Sequence, residues 1–300
     1  MAVDPISRTF GSMLVAMVTP FTTQGELDLD AAARVATHLV DNGCDGLVVS
    51  GTTGESPTTS DAEKETLLRT VLEAVGSRAV IVSGVGTNDT AHSVELAQQA
   101  AKAGAHGVLA VTPYYSKPPQ AGLIAHFTAI ADATDLPVML YDIPGRSGIP
   151  IRTETLITLA EHPHIVGLKD AKGDLYEMSW VLARTDLEVY CGTDELNLAS
   201  LASGASGLVS VVAHAAPAKF RQLVDAVDAG DLVTARRIHT EMLPAIRGLM
   251  TRTQGVIMAK AALQLQGVLA ERGLRLPLVE ATDDEVAVLR ADLEEAALLS

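Results

Sequence analysis

The sequence predicts an α/β protein, a (β/α)8 TIM barrel followed by a C-terminal helical extension. Three observations carry that prediction. Short apolar runs rich in β-branched residues recur every ~20–35 residues, with helical patterns between them. The runs are nearly all apolar rather than alternating, as strands buried on both faces require. The first strand-to-helix turn, Thr19-Pro20-Phe21-Thr22, lacks the glycine-rich dinucleotide fingerprint of an open doubly wound sheet.

Strands are expected near Leu14–Val18, Gly46–Val49, Val80–Val85, Gly107–Val111, Pro137–Tyr141, Ile165–Lys169, Glu188–Cys191 and Gly207–Val211. Between them, Ser60 and Glu63 form a capping box that opens a helix with Leu67, Leu68, Val71, Leu72 and Val75 on one face. Ala91–Ala103, Gly122–Ala133, Thr155–Ala160 and Glu195–Ala202 fill equivalent slots, and Gly43, Gly76 and Gly104 fall where helix C-caps belong. After Val211 the strands stop. Lys219–Ala229, Leu232–Met250, Val256–Gln266 and Asp283–Leu299 read as successive helices. Residues 1–230 are therefore assigned to the catalytic barrel and residues 231–300 to the extension. The acidic Asp283-Asp284-Glu285 run suits a helix N-terminus, and Trp180 reads as packing.

At 300 residues, with 48% hydrophobic and only 3% aromatic residues, the chain has material for one large aliphatic core. A formal charge of -15 argues against nucleic-acid or membrane-surface partners, which favour basic patches. Cys44 and Cys191 lack metal-ligand spacing and suit a reduced, cytoplasmic compartment. Met1–Phe10 lacks the charged-then-apolar pattern of a signal peptide, and no run is long enough for a membrane span.

In such barrels the reactive groups come from the carboxyl ends of the strands. The second strand ends in Gly51-Thr52-Thr53-Gly54-Glu55-Ser56, where glycines let backbone amides approach a ligand and two hydroxyls bind a carboxylate or pass a proton. A plain Gly/Thr turn fits the same residues. The fourth ends in Thr112-Pro113-Tyr114-Tyr115, two of only 5 tyrosines, which would equally serve as packing across a subunit interface. The fifth ends in Tyr141-Asp142-Ile143-Pro144-Gly145-Arg146. Its phenol suits acid–base work, and its guanidinium suits a substrate carboxylate or a surface ion pair with Asp142. The sixth ends at Lys169, where a poorly hydrated amine would form a Schiff base with a carbonyl substrate unless it merely caps the strand. The eighth ends in Gly207-Leu208-Val209-Ser210, where a strand-end carbonyl is placed to face the site. Each plain reading holds singly; all of them together at strand ends do not.

These motifs, with Gly167-Leu168-Lys169-Asp170-Ala171, resemble the pyruvate-dependent class I aldolase and lyase family of barrels, over nearly the whole chain. Arg146 and the paired tyrosines resemble the branch that condenses pyruvate with L-aspartate 4-semialdehyde in lysine and diaminopimelate biosynthesis. The resemblance implies that Lys169 forms the imine with pyruvate, which Thr53 and the Val209 carbonyl hold. It implies a proton relay of Tyr141, Thr52 and Tyr115, with Tyr115 reaching in from a neighbouring subunit, and Arg146 on the carboxylate of the semialdehyde. It implies no metal or organic cofactor and a homotetramer built as a dimer of dimers. In lysine-inhibited members of the branch a histidine and a glutamate line the effector pocket; here those places hold Lys64 and His92, while Ser56, Asn88 and Tyr114 still fit. Two basic groups should repel a lysine ammonium, so weak or absent lysine feedback is expected.

Other readings remain at this point. A sugar-acid aldolase such as N-acetylneuraminate lyase or a ketodeoxygluconate aldolase would share Lys169 and Tyr141 but not the arginine. A non-catalytic keto-acid sensor would bind without imine chemistry. His162-Pro163-His164 raises the question of a metal, although its place before a strand suits the rim opposite the site.

Overall fold

The structure, a computed structural model, describes residues 8–299, so Met1 to Ser7 of the leader reading lie outside the described residues. Eight parallel strands close on themselves in chain order, with the first paired to the eighth. They are β1 (Met13–Ala16), β2 (Gly46–Val49), β3 (Val80–Gly84), β4 (Gly107–Val111), β5 (Val138–Asp142), β6 (Ile165–Asp170), β7 (Glu188–Cys191) and β8 (Gly207–Ser210). All the expected strands form, with bounds moved by no more than two residues. Almost every strand residue is buried, as the unbroken apolar runs require of a sheet covered on both faces.

The helices are α1 (Leu29–Asp41), α2 (Asp61–Val75), α3 (Thr90–Ala103), α4 (Gln120–Asp132), the single turn α5 (Pro144–Ser147), α6 (Thr153–Leu159), α7 (Leu175–Arg184), α8 (Asn197–Ala202), α9 (Pro217–Asp228), α10 (Leu232–Met250), α11 (Gly255–Leu265) and α12 (Asp283–Glu295). The Ser60–Glu63 capping box opens α2, and Leu67, Leu68, Val71 and Val75 are its buried stripe, with Leu72 at the margin. Asp283, Asp284 and Glu285 occupy the first turn of α12, where Glu285 completes a second capping box with Thr282. As expected, all three glycines close helices: Gly43 and Gly104 in the left-handed conformation, and Gly76 as the cap of α2 in the right-handed one. No described helix is long and apolar enough to cross a membrane.

Two apolar layers form the core. One fills the space between strands and helices. The other fills the barrel interior, from Phe10 at the amino-terminal floor through Leu14, Val48, Val82, Leu109 and Met139 to Tyr141 near the carboxyl rim. Phe10 plugs the floor because Gly107 carries no side chain there; an added Cβ would come within 2.6 Å of its ring. Burial pushes the thiol of Cys44 up to about 12 and that of Cys191 up to about 11, which leaves both as small apolar groups. Trp180 departs from its expected packing role. It is 41% exposed on α7, edge-on to Tyr176 at 6.3 Å with the Arg184 guanidinium 4.9 Å from its ring.

Candidate active site

A cavity of about 500 Å³ opens at the carboxyl ends of the strands, and Thr52, Tyr114, Tyr115, Tyr141 and Arg146 line it. Lys169 stands beside it. The register places Lys169 of β6 opposite Tyr141 of β5, and the ammonium lies 4.2 Å from the centre of the Tyr141 ring. The lysine is 4% exposed and makes no hydrogen bond among the described residues; neither does the Tyr141 hydroxyl. The Tyr141 ring packs against the buried Lys169 Nζ without engaging it in a hydrogen bond, which leaves that nitrogen accessible to a carbonyl group.

Backbone geometry presents the two threonines. Ser50 (φ 55°) and Glu55 (φ 54°) are both left-handed, and they bracket the hairpin from Gly51 to Gly54. The Glu55 and Ser56 amides donate to the carbonyls of Thr52 and Gly51 (3.1 and 3.2 Å), while the Thr19 hydroxyl donates to that of Gly54 (2.6 Å). The hairpin needs a bare neighbour. A Cβ on Gly84 would sit 2.3 Å from the Ser50 carbonyl oxygen, so only glycine at the end of β3 lets the chains approach.

Tyr115, with φ 72° and 89% exposure, projects from the β4 loop at the edge of the cavity. Arg146 sits on α5, exposed and without an ion pair among the described residues. The pair with Asp142 does not form. Asp142 points out of the barrel, where its Oδ1 accepts the Ile151 amide (3.1 Å) and closes the loop that carries Arg146. Its Oδ2 is buried, has no hydrogen bond among the described residues, and lies 3.8 Å from the Lys172 ammonium. Burial pushes this carboxyl up to about 7, against the pull of the Ile151 amide and Lys172. Thr53 and Val209 are buried next to these groups, on the hairpin and at the end of β8, outside the cavity wall itself.

The sequence pattern of the dihydrodipicolinate synthetase family matches residues 9–296. The chain belongs to that family. It is 65% identical over 297 residues to a 4-hydroxy-tetrahydrodipicolinate synthase of Kineococcus radiotolerans, covering 99% of this chain and 96% of that one. It is 62% identical over 284 residues to 4-hydroxy-tetrahydrodipicolinate synthase 2 of Streptomyces coelicolor, covering 95% of this chain and 94% of that one. Among solved structures, DHDPS from Cyanidioschyzon merolae with lysine bound superposes with a TM-score of 0.94 at 41% identity, over 98% of this chain and 100% of that one.

The structure also brings buried groups to the site that do not stand at strand ends. Asp194 is buried and accepts the Ser210 hydroxyl and the amides of Val211 (2.9 Å) and Val212 (3.0 Å), which fixes the turn just past Val209. Glu55, quoted above only as part of a motif, ends in a buried ion pair with Lys260 (2.6 Å). A lone lysine in the apolar run Val256-Ile257-Met258-Ala259-Lys260-Ala261 was its one visible signal. Beyond the cavity, the Lys64 ammonium donates to the Thr59 carbonyl and lies 3.8 Å from Asp61, which also binds His92 Nε2 (2.9 Å). A carboxylate thus stands between the two basic groups. His162 and His164 lie in the loop before β6, at the opposite rim, bound to Asp132 and to the Ala131 carbonyl respectively (both 3.1 Å).

Proposed function

We propose that this chain is a 4-hydroxy-tetrahydrodipicolinate synthase that condenses pyruvate with L-aspartate 4-semialdehyde through an imine on Lys169. The observation that carries the reading is the buried Lys169 side chain against the Tyr141 ring, next to a cavity whose mouth holds Arg146, without an ion pair among the described residues. The shared name of relatives at 65% and 62% identity supports the synthase over a sugar-acid aldolase.

The Lys169 nitrogen attacks the keto carbon of pyruvate and water leaves, which gives the imine. Thr53 and the Val209 carbonyl hold the bound pyruvate. Loss of a methyl proton makes the enamine, whose carbon attacks the aldehyde of the second substrate while Arg146 holds that substrate's carboxylate. The aldehyde oxygen takes a proton and becomes the hydroxyl. The substrate's own amine then attacks the imine carbon, closes the ring and expels Lys169, so one water is lost overall. Tyr141, Thr52 and Tyr115 move the protons.

A phenol as exposed as Tyr115 serves a relay only when a second surface covers it, which supports a dimer whose partner's tyrosine completes each site; the whole is a homotetramer of two such dimers, working in the cytoplasm. The test is borohydride reduction with pyruvate present. Wild type should gain a pyruvyl adduct on Lys169 and Lys169→Ala none, with the variant's condensation activity lost. An unmodified wild-type chain would reject the imine.

A further inference from the structure

The hairpin that presents Thr52 and Thr53 is not held by the barrel alone. The Glu55 carboxylate, 2% exposed, accepts the Lys260 ammonium on one oxygen (2.6 Å) and the backbone amide of Arg275 on the other (3.0 Å). Lys260, from α11, also donates to the Gly273 carbonyl (2.7 Å), and its ammonium lies 4.5 Å from the centre of the Phe21 ring. The Arg275 guanidinium lies 4.4 Å from that ring's centre and reaches the carbonyl of Thr58 (2.7 Å) and the carboxylate of Glu63 (2.6 Å) at the start of α2. Two segments of the C-terminal extension thus grip both the hairpin and the turn after it.

A left-handed non-glycine residue persists only where its surroundings over-determine it. At Glu55 the backbone is held by Thr52 and Thr58, while both partners of the side-chain carboxylate come from the extension. An ion pair buried this deeply adds little net stability, yet it fixes direction, because any shift of the carboxylate strands a charge without a partner. We infer that Glu55, Lys260 and Arg275 are positioning residues for the condensation, a clamp through which the C-terminal extension sets the Thr52-Thr53 hairpin against Lys169. The inference rests on the reading of Thr53 as a pyruvate holder and Thr52 as a relay hydroxyl.

The test replaces the buried pair together, Glu55→Gln with Lys260→Met, so that no lone ion remains inside. With activity normalised to the Lys169 sites that borohydride traps at saturating pyruvate, the double variant should need at least about tenfold more pyruvate for half-trapping and show a matching rise in its KM for pyruvate, with kcat lowered less. A purely structural role would lower the yield of folded chain or its Tm and leave half-trapping per site unchanged; that result overturns the clamp. If the double variant does not fold, Arg275→Met, at a half-buried position, decides. A severalfold rise in half-trapping concentration supports the clamp, and an unchanged value overturns it. Failure of the wild type to trap pyruvate at all would instead reject the imine reading.

Discussion

The two ends of the barrel use the same kinds of polar residue to opposite effect. At the floor, Tyr190 donates its hydroxyl to Glu188 (2.7 Å), which also accepts the amide and hydroxyl of Thr9 (2.8 and 2.7 Å). Asp45 likewise accepts from Ser12, Met13 and Arg221 within 3.0 Å. At the rim, Tyr141 and Lys169 have no hydrogen bond among the described residues, and Arg146 has no ion pair. Buried polar groups are almost always paired within a protein. A rim where, among the described residues, the buried Lys169 Nζ and Tyr141 hydroxyl lack hydrogen bonds, with an exposed guanidinium beside them, is complementary to a molecule that supplies partners. The floor is complementary only to itself.

Exchanging the fates of the two tyrosines is the hardest test of that contrast. Tyr141→Phe should lower kcat by about 10²-fold or more, the usual worth of a positioned acid or base, with Tm nearly unchanged. Tyr190→Phe should do the reverse. It leaves Glu188 short of one buried donor, a loss of about 1–3 kcal/mol in stability, with activity per folded chain retained. Steady-state kinetics beside thermal unfolding on both variants reads the outcome, and a catalytic defect in Tyr190→Phe would erase the distinction between the ends.

A smaller effect is expected one residue beyond Tyr141. Burial raises the Asp142 carboxyl to about 7, so from about pH 4 to 7 the unfolded chain gives up this proton while the folded one keeps it. Stability from this site is therefore full at low pH and is lost as pH rises to about 7. Asp142→Asn retains an oxygen for the Ile151 amide and removes the ionisation. It should match wild type near pH 4 and unfold a few degrees higher at pH 8, by calorimetry at both values. A variant equally or less stable at pH 8 would show that Lys172 holds the carboxylate charged, making the outer face of β5 a paired region like the floor.

The smallest effect should be on feedback. Lys64, which the resemblance puts at the effector position, is buried with its charge directed at the Thr59 carbonyl of its own chain. Assays with free L-lysine should show weak or no inhibition. Inhibition at submillimolar lysine would mean that Asp61, set between Lys64 and His92, offsets the basic charge enough to admit a second ammonium.

Legibility in the sequence followed the range of the interaction. The strands are set by runs of apolar residues, and each strand end is local, so Lys169, Tyr141, Arg146 and the Thr52-Thr53 pair could be nominated from position alone. Asp194 and the Lys260–Glu55 pair could not. The latter joins residues 205 positions apart, and nothing local distinguishes a lysine that will be buried in α11 from one that faces solvent. Trp180 failed for a related reason: helical spacing shows that Tyr176, Trp180 and Arg184 share a face, not whether that face is covered. Asp61 escaped notice because its two basic neighbours come from α2 and α3 separately.

The clamp on Glu55 also has a consequence for the time at which a newly made molecule becomes competent. Glu55 leaves the ribosome early, whereas its partner Lys260 follows 205 residues later and Arg275 220 residues later. At synthesis rates of about 5–20 residues per second, the hairpin waits roughly 10–45 s for the groups that hold it. During that interval the Glu55 carboxylate lacks both of the partners that it has in the finished chain. The hairpin that shapes the mouth of the barrel is thus among the first parts of the protein to be made and among the last to be finished.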